Sequence, residues 1–170
     1  MNYNPILVVT GEPNSIFLEI FFKVIKKNKT INPIILISSK KLLSMQMKKL
    51  KFKKKIKLLN PLTLDEYKLD NKSINLINVE YHPSKAFEKI SIKSNKFIDN
   101  SFKLAFKIIK KNKIHKFING PVSKKNFLNK KFLGITEYIS KKFKIKKTCM
   151  LIYNKNLSVC PITTHLPLKL

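Results

Sequence analysis

The chain has 170 residues, 44% of them apolar, which suits one packed domain or a large part of a two-domain protein and excludes a disordered polypeptide. Its formal net charge is +27, yet all 36 basic residues are lysine and none is arginine. Arginine is the residue suited to bidentate contacts with bases and phosphates, so the charge reads first as a nucleotide bias toward Lys, Asn, Ile and Phe codons. Specific nucleic-acid binding is disfavoured as the main function.

In chain order, Ile6-Leu7-Val8-Val9 is a continuous apolar run that predicts a strand buried on both faces. Thr10 to Ser15 form a turn, and Asn14 or Ser15 can cap a helix whose apolar face is Ile16, Phe17, Ile20, Phe21, Val24 and Ile25. Lys26 to Lys29 place cations and an asparagine at its end, where the helix dipole favours positive charge. Pro33 to Ile37 predicts a second buried strand. Ser38 or Ser39 then caps a helix to about Leu50, with Leu42, Leu43, Met45, Met47 and Leu50 as core contacts. Lys53 to Leu59 is a charge run entering a short strand, residues 60 to 73 read as a loop, and Ile74 to Val79 as another strand.

Glu80 to Ser94 is irregular, and His82 in this loop reads as solvated. Ser94-Asn95 opens the most regular helix, with Phe97, Ile98, Phe102, Ala105, Phe106, Ile108 and Ile109 at 3.6-residue spacing. The stretch that follows, residues 114 to 137, holds two of the three glycines. Phe117-Ile118 runs into Gly120-Pro121, a strand ending in a rigid turn, and Ser123 can cap a short helix. Strand, glycine turn and helix start is where open α/β sheets bind ligands, although the same pattern serves a plain tight connection. Thr136 to Phe143 predicts a further helix. Thr148–Tyr153 and Leu157–Cys160 predict two strands joined at Asn154-Lys155-Asn156.

Strands alternating with helices predict an α/β fold, a mostly parallel sheet flanked by helices, with an antiparallel hairpin near the C-terminus. There is no GxGxxG, so a Rossmann dinucleotide fingerprint has no support. The two cysteines, Cys149 and Cys160, flank the hairpin and are read as neighbours across it and as reduced core residues. No signal peptide is visible, and Glu19 and Lys23 interrupt the longest apolar stretch, so no membrane span is expected and a cytoplasmic protein is.

Four short pieces carry the chemical signal: Thr10-Gly11-Glu12-Pro13, Asn119-Gly120-Pro121-Val122-Ser123-Lys124, Gly134-Ile135-Thr136-Glu137 and Thr163-Thr164-His165-Leu166-Pro167-Leu168. Each is weak alone. In this order, from about Leu7 to Leu168, they resemble the 4-hydroxythreonine-4-phosphate dehydrogenase family of pyridoxal phosphate biosynthesis. That family carries a Thr-Pro-Gly-Glu-Pro-like start and Gly-Pro-Val-x-Lys, Gly-His-Thr-Glu and Thr-Thr-His-x-Pro-Leu motifs. The resemblance implies a fold similar to isocitrate and isopropylmalate dehydrogenases, with two α/β domains around a cleft and a homodimeric assembly. It implies NAD- or NADP-dependent oxidation of 4-(phosphooxy)-L-threonine to 2-amino-3-oxo-4-(phosphooxy)butanoate, which decarboxylates to 3-amino-2-oxopropyl phosphate.

It further implies a divalent metal (Zn, Mg or Co) held by three histidines, one of them His165, and a substrate contact from Thr136. A metal on the reacting alcohol lowers the pKa of that alcohol, and neutral imidazole suits Zn²⁺. Lys124 is a candidate for the substrate phosphate, or a solvated lysine. Two departures stand against the pattern. Ile135 occupies the histidine position of Gly-His-Thr-Glu, so either specificity differs or this copy is impaired. Residues 1–170 also match only the N-terminal part of such an enzyme, so the other two metal histidines and most of the cofactor site are expected in a second half. The chain alone is then expected to be inactive. The competing readings are a related dehydrogenase of another phosphorylated hydroxy acid, and a non-enzymatic basic remnant that binds polyanions.

Overall fold

The computed structural model describes residues 4–27, 31–112, 114–129, 131–146 and 148–162. Five parallel strands, β1 (Ile6–Val9), β2 (Ile34–Ser38), β3 (Ile56–Leu58), β4 (Ile74–Asn78) and β5 (Lys116–Asn119), form one sheet in the order β3-β4-β2-β1-β5. Helices α1 (Phe17–Lys27), α2 (Lys40–Lys49), α3 (Asn95–Asn112) and α4 (Ile135–Phe143) connect or follow them. A separate antiparallel ribbon joins β6 (Ile152–Tyr153) to β7 (Ser158–Val159). The expected architecture is therefore present, parallel sheet and antiparallel piece alike.

Side chains alternate along each strand, and this divides the core in two. Leu7, Val9, Ile35, Ile37 and Ile77 face α3, with Phe97, Ile98, Phe102, Ala105 and Phe106 against them. Val8, Leu36 and Leu76 face the opposite way, against Leu18, Phe21 and Phe22 of α1 and Leu42, Leu43 and Met47 of α2. The central strands are covered on both faces, as continuous apolar runs require. On the α3 face, Phe102 gathers rings of Phe106, Phe117, Phe127 and Tyr138 at centroid distances of 5.5 to 6.3 Å, which fastens α4 and the turn after β5 to α3.

Capping follows the sequence. Phe17 N–H donates to Ser15 Oγ (3.3 Å) at the start of α1, and Leu42 N–H donates to Ser39 Oγ (3.3 Å) at the start of α2. Three details differ from expectation. The buried side of α1 is Leu18, Phe21 and Phe22, while Ile16, Ile20 and Val24 stay 65%, 47% and 39% exposed. Among the described residues the sheet ends at β5 and nothing covers the far side of α1; Ile118 on β5, in register with Val8 on the same face, is also 49% exposed. On α2, Gln46 is fully buried while Met45 is half-buried, because the Gln46 amide bridges two loops. Finally, Cys149 and Cys160 are exposed rather than core residues, since the hairpin joins neither apolar cluster.

Candidate active-site crevice at the carboxyl ends of the strands

The chain runs from β1 to β2 on one side, then returns through α3 to place β5 on the other side of β1. The carboxyl ends of β1 and β5 thus form the topological switch point, the place where open α/β sheets hold ligands. Two of the sequence motifs meet there. Gly120 N–H donates to Val9 O (2.7 Å) and Glu12 N–H donates to Pro121 O (2.8 Å). A Cβ at Gly120 would lie 1.9 Å from Thr10 O, and one at Gly11, whose φ is +70°, 2.4 Å from Pro121 O. The glycines therefore serve direct backbone-to-backbone packing of the two turns, the plainer of the two roles considered for Gly120.

Glu12 is the residue that sequence reading undervalued. It is only 2% exposed, and its carboxylate accepts from Ser94 Oγ (3.0 Å) and Asn14 N–H (3.3 Å). Asn14 Oδ1 in turn accepts from Glu88 N–H (3.0 Å), and Gln46 Nε2 donates to Pro13 O (2.9 Å) and Ala86 O (2.8 Å). Loop 10–15 is thereby tied to loop 81–94. Desolvation holds the Glu12 carboxyl above the ordinary glutamate value, outweighing the hydrogen bonds from Ser94 and Asn14. A lone glutamate in a turn gives no sign of such burial; the signal available was Ser94, read only as a helix start.

Beyond the switch point, Ser123 Oγ accepts from Asn126 N–H (3.0 Å) and begins a single wide turn, Lys124–Leu128. Asn95 Nδ2 at the start of α3 holds that turn by donating to Asn126 O (2.7 Å). Lys124, Lys125, Asn126, Asn129, Phe132 and Leu133 line an open cavity of about 650 Å³, a basic and amide-rich surface with apolar walls. Gly134 is the N-cap of α4, in extended conformation and without a side-chain cap. Ile135 packs half-buried against the apolar cluster on the α3 face. Thr136 lies in the first turn of α4, half-buried, and its carbonyl accepts from Ser140 Oγ (2.7 Å). Glu137 Oε2 is buried without a hydrogen-bond partner. Tyr138 lies 3.5 Å from Asp99 Oδ1, and burial first and the Asp99 charge second hold its phenol in the neutral form.

The metal set is not assembled by the described residues. His165 lies outside them. His82 is exposed, 3.6 Å from Glu80, and His115 is exposed beside β5. Among the described residues no three His, Cys, Asp or Glu side chains converge as metal ligands. Among them, too, no helix is long and apolar enough to cross a membrane.

This arrangement is an open α/β fold with its crevice at the carboxyl ends of a parallel sheet. It superposes on a 4-hydroxythreonine-4-phosphate dehydrogenase from Burkholderia phymatum with a TM-score of 0.82 and 18% identity, over 98% of this chain and 52% of that one. The enzyme of that name from Klebsiella pneumoniae gives 0.79 and 17%, over 99% and 53%. The chain spans about half the length of these solved structures. Residues 29–170 match the family described as pyridoxal phosphate biosynthetic protein PdxA, and the chain belongs to that family. A comparison with curated protein sequences found no match.

Proposed function

We propose that residues 1–170 form the N-terminal part of an NAD-dependent dehydrogenase. Its reaction is oxidation of 4-(phosphooxy)-L-threonine to a 3-oxo acid that decarboxylates to 3-amino-2-oxopropyl phosphate. The working enzyme is a cytoplasmic homodimer whose second half completes the cleft, the metal ligands and the cofactor site. The observation that carries this reading is the family match over residues 29–170, joined to a superposition that uses nearly all of this chain and half of each relative. The apolar side of α1 and the edge of β5, both uncovered among the described residues, support a second half packed there.

In this reading Lys124, which lines the basic cavity, contacts the substrate phosphate, and Thr136 donates a hydrogen bond to substrate from the first turn of α4. Glu12 and Gln46 hold the crevice loops in place and do not touch substrate. Expression of the complete reading frame, with NAD, divalent metal and 4-(phosphooxy)-L-threonine, tests the proposal by NADH absorbance. Activity that His165→Ala abolishes is expected, and the 170-residue chain alone stays inactive. Reduction of NAD by that chain, above its own His165→Ala control, would refute the division of labour.

One observation favours a second substrate. Ile135, where the family pattern has histidine, is committed to apolar packing and offers no hydrogen bond. The same fold would then oxidise a different phosphorylated hydroxy acid. Ile135→His in the complete enzyme separates the two: a gain on 4-(phosphooxy)-L-threonine supports the first substrate, and no gain supports the other.

A further inference from the structure

Two thiols face each other on the outside of the molecule. Cys149 and Cys160 are both free and exposed, 11 positions apart in sequence, with their Sγ atoms 3.0 Å apart. The hairpin brings them together: Ile152 pairs with Val159, Tyr153 pairs with Ser158, and Asn154 N–H donates to Leu157 O (3.1 Å) to close the turn. A disulfide needs roughly 2.05 Å, so the sulfurs must close by about 1 Å, within reach of small side-chain rotations at two surface residues. Neither residue belongs to an apolar cluster, so no packing resists that movement. The Cys160 thiol is held above its ordinary value, chiefly by its hydrogen bond with Cys149, so the two groups already share a proton-holding contact.

We propose that Cys149 and Cys160 form a reversible dithiol–disulfide site, oxidised by a low-molecular-weight disulfide. The thiolate of one cysteine attacks a sulfur of the small disulfide. One S–S bond breaks, a mixed disulfide forms, and one small thiol leaves. The second cysteine, as thiolate, attacks the protein sulfur of that mixed disulfide and expels the other small thiol. The protein loses two electrons and two protons, and the reagent becomes two thiols. The product clamps the base of a hairpin that leads directly into residues 163–170, with Cys160 five positions before His165. Disulfides of this kind in reducing compartments are transient and redox-sensing, which fits exposed thiols.

The test equilibrates the full chain anaerobically in glutathione buffers of graded reduced-to-oxidised ratio, in native buffer and in urea, with an alkylating quench. Intact mass and peptide mapping then report the products. Expected are joint loss of both thiols with loss of two hydrogen atoms, a linked Cys149–Cys160 peptide and reversal by excess reduced glutathione. The equilibrium constant should be at least about tenfold higher in native buffer than in urea. Cys149→Ser and Cys160→Ser should each stop at one glutathione adduct, since no second thiol resolves it. Separate glutathione adducts on both cysteines of the folded wild type, disulfides between chains, or equal constants in the two solvents would overturn the proposal.

Discussion

Gly120→Ala probes the junction on which the crevice depends. The added methyl would sit 1.9 Å from Thr10 O, 2.7 Å from Thr10 C and 2.9 Å from Phe17 Cγ. The first two are backbone atoms and cannot rotate away. Relief requires the two turns to part by more than an ångström, which breaks Gly120 N–H to Val9 O (2.7 Å) and Glu12 N–H to Pro121 O (2.8 Å). Overpacking costs about 1–3 kcal/mol and each lost hydrogen bond about 1 kcal/mol, so a loss of about 3–5 kcal/mol is expected. Against a total stability on the order of 5–15 kcal/mol, the variant should stand close to unfolding. Urea denaturation followed by far-ultraviolet circular dichroism measures this, with Val122→Ala in the same turn as a cavity-forming control costing about 1 kcal/mol. A Gly120→Ala unfolding free energy within about 0.5 kcal/mol of wild type, or a smaller loss than Val122→Ala, would refute the backbone-contact argument.

Three further substitutions test separate parts of the account. Glu12→Gln should remove a pH dependence: the folded protein keeps a proton that the unfolded chain releases above 4.5, so that stabilisation is complete below 4.5 and fades as pH rises through the raised folded value. The variant should match or exceed wild type at pH 7 and lack that slope in urea melts across pH 4–7, because the Gln amide can donate to Ser94 Oγ while Ser94 bonds Ser91 O. Gly134→Ser creates Ser-x-x-Glu with Glu137, whose Oε2 is unpaired, and should raise stability by a few tenths to about 1 kcal/mol, read as a higher Tm. Leu18→Ala should cost about 2–5 kcal/mol, whereas Ile20→Gln, two positions on and on the exposed side of α1, should change stability by less than about 0.5 kcal/mol and reduce self-association in sedimentation.

The parts of this fold legible in the sequence were those that depend on local pattern. The apolar run Ile6–Val9 had to be a strand covered twice, and the stripe from Phe97 to Ile108 had to be a helix against a core; both stand where periodicity put them. What escaped depended on neighbours remote in sequence. Ile16, Ile20 and Val24 obey helical spacing as well as Leu18 and Phe21 do, and only the position of the sheet edge decides which side of α1 is covered. Gln46 reads as a polar residue among methionines until Pro13 and Ala86 present their carbonyls to it. The candidate site was legible as a set of ordered motifs, two of which meet at the switch point. Its geometry was not, since Glu12 is coupled to Ser94 across 82 positions and His165 lies outside the described residues.

The central claim is that this chain is the first half of a two-domain dehydrogenase. The most direct test is the intact mass of the native gene product, with its reading frame followed past codon 170. The account predicts a protein close to twice 19.8 kDa, since the chain covers 52–53% of its relatives, with two further histidines placed to join His165 on a metal. A product of 19.8 kDa in the cell would contradict the claim, leaving a member of the family with its crevice loops but without a completed active site.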